Sequence, residues 1–121
     1  MARTGSCNCG SVRYSIAADV RHTGACHCGM CRKWSGGVYL GVEVAPDDLT
    51  IEGQDKLTIY RVTAPGPNQG TYHVGLGTLD DAGGITLTEE IFIDRKPLGY
   101  AFAGDRKTMT EAEVMAMFGP D

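Results

Sequence analysis

The chain has 121 residues, 42% of them apolar and 21% charged, with 17 glycines; this is the size and composition of one turn-rich globular domain, not of a disordered or fibrous chain. No run of about 18 apolar residues offers a membrane span, and Met1-Ala2-Arg3-Thr4-Gly5-Ser6 lacks a signal peptide's apolar core, so a cytoplasmic protein without a membrane partner is expected. The formal net charge of −4 hides a split, five cations against one anion in residues 1–33 and six against fourteen in residues 34–121; overall acidity, with no basic run interleaved with aromatics, argues against nucleic acid as a partner.

Five cysteines, all between positions 7 and 31, are odd in number and badly spread for stapling a whole domain, which points to metal or redox chemistry instead. The first two lie in Ser6-Cys7-Asn8-Cys9-Gly10, ahead of Ser11-Val12-Arg13-Tyr14-Ser15-Ile16-Ala17, where Val12, Tyr14 and Ile16 alternate with polar residues as in a half-buried strand. In extended chain, positions i and i+2 share a face. Cys7 and Cys9 are therefore expected to approach one metal together as a two-toothed clamp.

The densest chemistry follows in Cys26-His27-Cys28-Gly29-Met30-Cys31-Arg32-Lys33. Thiolates bind zinc at about 2.3 Å in a tetrahedron, and a catalytic zinc keeps three protein ligands and one open position. Cys26, Cys28 and Cys31 supply that count, with Gly29 easing the tight turn of the C-x-x-C. The same parity turns His27 away from the metal, to pack or hydrogen-bond behind the loop. Arg32 and Lys33 are either a solvated basic face or cations that favour thiolates and hold a substrate carboxylate.

Trp34, the only tryptophan, is expected in the core or against the site, and Gly36-Gly37 either forms a plain turn or admits a ligand close to the backbone. Val38, Leu40, Val42 and Val44 mark the clearest strand. Leu49-Thr50-Ile51, Leu57 to Val62 and Thr71 to Leu76 are further strands, the last two separated by a Pro/Gly loop at 63–70. After the turn at Asp80 to Gly84 comes a pair of short strands, Ile85 to Leu87 and Glu90 to Ile93. This is the pattern of a mainly antiparallel β domain. One helix is expected, opened by the capping box Thr110-Glu111-Ala112-Glu113 and continued through Val114, Met115, Ala116, Met117 and Phe118, its methionines packing inward.

Three motifs in order, Gly5-Ser6-Cys7-Asn8-Cys9-Gly10-Ser11-Val12-Arg13-Tyr14, Cys26 through Gly36, and Leu57-Thr58-Ile59-Tyr60-Arg61, resemble the glutathione-dependent formaldehyde-activating (GFA) family, also called the centromere-protein-V/GFA domain. Gly77-Thr78-Leu79-Asp80-Asp81 and Ile91-Phe92-Ile93 extend the resemblance to about residue 100. It implies an Mss4-like, mainly antiparallel β fold with two zinc ions and a short C-terminal helix, the whole chain 1–121 being one such domain. One zinc would be catalytic, held by Cys26, Cys28 and Cys31. The other would be structural, held by Cys7 and Cys9 with a later C-x-x-C pair.

That pair is expected between about residues 62 and 65, where this sequence has only the Pro/Gly loop. Either the gene lacks the segment or the sequence omits it. A structural zinc contributes on the order of 10 kcal/mol to a small domain, so the stake is large. Without the pair, Cys7 and Cys9 have the option of sharing one zinc with two of Cys26, Cys28 and Cys31, which would close the open position.

The activity implied is that of a zinc-dependent carbon-sulfur lyase that forms or splits the adduct of a glutathione-type thiol with a small aldehyde such as formaldehyde, with Arg32 and Lys33 as contacts for glutathione. Zinc would act by ionising the thiol or by polarising the aldehyde oxygen. The alternatives are a zinc-stabilised binding module, a glutathione carrier, and thiol-disulfide exchange at Cys28 and Cys31, which lacks the expected βαβ setting.

Overall fold

The computed structural model describes residues 3–58 and 71–118. It is mainly β, with eight strands and two helices among the described residues, arranged in two compact units. The first comprises Met1–Arg21 and Val42–Ile85, the second His22–Gly41 and Thr86–Asp121.

In the first unit, β1 (Arg3–Ser6), β2 (Arg13–Ile16) and β5 (Leu49–Glu52) form an antiparallel sheet with β2 in the centre. Register sets Tyr14 opposite Gly5 on one side and Ile51 on the other. The alternation read from Val12, Tyr14 and Ile16 thus produces a real strand, and Ile16 at its end is fully buried. Ile16 packs with Val20, Val42, Val44 and Leu79, with Tyr14, Leu49 and Val74 around them. Gly53 shows how tightly this unit closes: at φ 82° it adopts a backbone that favours glycine, and a Cβ there would collide with the Ser11 carbonyl oxygen. β6 (Tyr72–Gly75) falls within the expected strand 71–76. Of the strand expected over 57–62, Leu57 and Thr58 are in no strand, and the remainder, with the loop 63–70, lies outside the described residues.

The second unit holds β3 (His22–Cys26), α1 (Gly29–Ser35), β7 (Thr86–Ile91), β8 (Lys107–Met109) and α2 (Glu111–Phe118). β4 (Tyr39–Val44) divides, Tyr39, Leu40 and Gly41 falling here and Val42, Glu43 and Val44 in the first unit. β3 pairs antiparallel with β4 through Gly24↔Gly41 and Cys26↔Tyr39. It pairs parallel with β7, which in turn pairs parallel with β8. The sheets are therefore antiparallel and mixed.

Residues 85–93 do not form two short strands. They hold one continuous strand, β7, followed by a 3-10 turn at Ile93–Arg95. Thr88 and Glu89, between the two apolar runs, are not turn formers, and the chain stays extended until Phe92, whose left-handed backbone (φ 55°) ends it. β3 escapes sequence reading because its inward residues are Thr23 and Ala25, too small to register as apolar alternation.

α2 begins as expected. Thr110 Oγ1 accepts from the Glu113 amide at 3.2 Å and Glu113 Oε1 accepts from the Thr110 amide at 2.9 Å, the reciprocal bonds of a capping box. Its inward residue is Val114. Met115 and Met117 are each 54% exposed, so they do not pack inward.

Ile16→Ala should destabilise the protein by about 3 kcal/mol, the loss typical of a buried aliphatic side chain truncated in a close-packed core. Urea unfolding checks this as a lower midpoint at unchanged m-value.

Candidate metal centre

The thiol-rich segment folds as the end of a strand, a one-residue link and the start of a helix. Cys26 is the last residue of β3, and Cys28 is the N-cap of α1, with extended backbone (φ −64°, ψ 158°). The expected C-x-x-C knuckle is thus the first turn of a helix. Its Cys28 sulfur takes the place of the usual Ser, Thr, Asp or Asn oxygen, accepting from the Cys31 amide at 3.3 Å.

Gly36 ends the helix in the left-handed conformation, donating its amide to the Arg32 carbonyl at 2.8 Å. Gly36 therefore serves the turn. Arg32 and Lys33 occupy the last turn, where cations oppose the negative end of the helix dipole. The helix is not visible as an apolar period because none of its residues is buried.

Cys26, Cys28 and Cys31 converge, with sulfur atoms all within 4.8 Å of one another. A tetrahedral site with bonds of about 2.3 Å separates its sulfurs by about 3.8 Å, so the cluster fits a zinc ion. Among the described residues it is the one group of three or more Cys, His, Asp or Glu side chains so gathered.

The electrostatics favour a thiolate on Cys26 at the expense of Cys31. Cys26 is lowered to about 6, chiefly by a hydrogen bond from the Cys31 thiol; burial works against the shift, and the Cys28 amide, the Cys28 thiol and His27 reinforce it. Cys31 is pushed above the ordinary thiol range by that same bond to Cys26, by burial and by the Cys26 charge.

His27 points away from the thiols, as the sequence parity requires, and is completely buried. Nδ1 lies 2.8 Å from the Tyr100 hydroxyl and Nε2 2.8 Å from Glu90 Oε1. Arg106 Nη1 donates to the other Glu90 oxygen at 2.6 Å. Burial raises the Glu90 pKa, but the bonds from His27 and Arg106 outweigh it and hold the carboxyl below the usual range. Glu90, Tyr100 and Arg106 were not legible as site residues: the first two stand 63 and 73 positions from His27, and no local pattern encodes such pairings.

Arg32 is half-buried, with Nε donating to the His27 carbonyl at 3.0 Å, while Lys33 is exposed. Trp34 is 64% exposed, contrary to a core position, because its helix has no inward face; it meets Tyr39 edge-on at 5.1 Å.

Cys7 and Cys9 are close as well, with sulfurs 3.5 Å apart. A tight turn achieves this instead of strand parity, since β1 stops at Ser6 and the Gly10 amide bonds back to the Cys7 carbonyl at 3.1 Å. Cys7 is lowered to about 7, first by the Val12 amide, which donates to its sulfur, and then by Cys9. The two thiols line a cavity of about 490 Å³ with Val12, Tyr14, Leu57 and Val74.

Residues 2–68 match the family model described as "Glutathione-dependent formaldehyde-activating enzyme". That stretch includes all five cysteines. No curated protein matches the chain.

Zinc binding at neutral pH should release at least one proton, the one retained by Cys31. Because Cys31 keeps its proton through the neutral range, affinity should rise with pH throughout it, and the rise should steepen by about a further tenfold per pH unit below about pH 6, where Cys26 also takes up a proton. Calorimetric zinc titrations in buffers of different ionisation enthalpy count the protons, and chelator competition from pH 5.5 to 8 gives the slope.

Proposed function

As the chain belongs to the glutathione-dependent formaldehyde-activating enzyme family, we propose that it is a zinc-dependent carbon-sulfur lyase that forms or splits the adduct of a glutathione-type thiol with a small aldehyde such as formaldehyde. The observation that carries this reading is the convergence of Cys26, Cys28 and Cys31 without a fourth ligand among the described residues. Bound there, zinc would supply an open coordination position at which an incoming thiol is ionised or an aldehyde oxygen polarised.

The chain's own contribution is to hold three sulfurs together and to present cations beside them. Arg32 is anchored through Nε, which leaves its two Nη groups to meet a carboxylate side by side. Lys33, exposed on the same short helix, offers a second charge. Glutathione carries two carboxylates and one ammonium, so a pair of cations next to a thiolate site suits it. The remaining pair, Cys7 and Cys9, offers two thiolates for a second ion in the first unit.

One observation favours a second reading, a glutathione carrier or zinc-stabilised binding module. His27 is the imidazole between the thiols, yet it is fully buried with both ring nitrogens within bonding distance of protein groups. It is not available to exchange a proton with a bound substrate, and adduct formation needs a proton to move from sulfur to oxygen. A carrier has no such need.

Cys28→Ser should abolish zinc binding at this cluster and, with it, any acceleration of the exchange between glutathione, formaldehyde and their adduct. Zinc content by elemental analysis and exchange rates by NMR check both. An enzyme raises the exchange rate above that of the free reactants; a carrier binds glutathione and leaves the rate unchanged.

A further inference from the structure

We infer that His27 is a positioning residue for the thiol cluster: it pins the loop between Cys26 and Cys28 to the sheet, so that the three sulfurs are held for an ion before one arrives. This rests on the metal reading of the cluster. His27 is fixed at four points. Its amide donates to the Ile91 carbonyl at 3.2 Å, its carbonyl accepts from Arg32 Nε at 3.0 Å, and its ring lies between the Glu90 carboxylate and the Tyr100 hydroxyl, each at 2.8 Å. Glu90 is itself immobilised, sitting on β7 opposite Ala25 in the parallel register and bonded to Arg106.

The physical need for such an anchor comes from the thiols. Three sulfurs stand within 4.8 Å of one another at the junction of a strand end and a helix start, so their spacing depends on how firmly the single residue joining the two elements is held. A buried ring whose two nitrogens face polar groups supplies that hold, because withdrawing it would leave the buried Glu90 Oε1 without the partner it has in the ring. Since the ring faces away from the metal, its effect reaches the sulfurs through the backbone on either side, at Cys26 and at Cys28.

The test compares the parent with His27→Ala, Glu90→Gln, Tyr100→Phe and Val114→Ala. Zinc affinity is read by competition with a chromophoric chelator, and site geometry by the charge-transfer and d–d bands of the cobalt-loaded protein. His27→Ala should weaken zinc by about 10- to 100-fold, the range for loss of a group that orients metal ligands, and should alter the cobalt bands. Glu90→Gln, which keeps the shape and one hydrogen bond, should fall between His27→Ala and the parent. Val114→Ala, which loosens the same unit without touching the loop, should lower stability and leave both readouts unchanged.

Zinc affinities of His27→Ala and Glu90→Gln within about twofold of the parent, with unaltered cobalt bands, overturn the inference, as does an equal response in Val114→Ala. If His27→Ala does not fold, Glu90→Gln and Tyr100→Phe measured against Val114→Ala decide by the same criterion. A parent that binds neither metal overturns the metal reading instead; alkylation rates of Cys26, Cys28 and Cys31 then test the anchor alone, and rates unchanged in Glu90→Gln overturn it.

Discussion

The parallel pairing of β3 with β7 is the constraint on which the thiol cluster depends. It places Cys26 opposite Ile91 and Ala25 opposite Glu90, so the strand delivers its last residue to the cluster just as the neighbouring strand delivers a carboxylate to the ring behind it. A slip of one residue along that pairing would turn every side chain of β3 to the other face. It would also part His27 from Glu90. The antiparallel pairing of β3 with β4 adds a second brace, and the N-cap of α1, Cys28, follows two residues after the strand's end. Three thiols can converge because a strand terminus and a helix N-cap are adjacent in the chain, the first fixed by the sheet's backbone bonds and the second by the Cys28 sulfur accepting from the Cys31 amide.

Charge around the cluster is arranged in two layers. Toward the interior, Glu90 lies between His27 and Arg106, and its carboxylate offsets the Arg106 charge and accepts hydrogen bonds within a region closed to water. Burying one carboxylate without such partners would cost several kcal/mol, so the layer holds only as a set. Toward the sulfurs, the groups that favour a thiolate on Cys26 are chiefly thiol and amide hydrogens. Zinc chemistry at such a cluster draws on the second layer and is steadied by the first. Cys7 and Cys9 follow the same local logic in the first unit, where the Val12 amide faces the Cys7 sulfur, but without a comparable buried polar layer among the described residues.

Much of this was written locally and could be read as such. Tyr14 and Ile16 alternate, and β2 forms; Val42 and Val44 alternate, and the second half of β4 enters the core of the first unit. The capping box at Thr110 and Glu113 closes as its spacing demands. Where reading failed, the side chains carried too little contrast. Thr23 and Ala25 are buried yet small, so β3 left no trace. The short α1 buries none of its residues, so no period betrays it, and Trp34 does not take the core position that was one of its two expected places. A Thr-Glu pair between two apolar runs looked like a break and is the middle of β7.

Sequence by itself determined the chemistry of the cluster: three thiols in six residues can supply soft donors for one ion whatever the surrounding fold, and i, i+2 parity turns His27 away from them because backbone geometry leaves no other direction. Tertiary structure alone decided what His27 turns toward. Glu90 reaches it from β7 and Tyr100 from the chain beyond, with Arg106 bonded to Glu90 in turn, across separations that carry no local signal. Such partners are chosen by which strands pair and in what register, a choice made by the burial of whole faces and not by any residue in the motif.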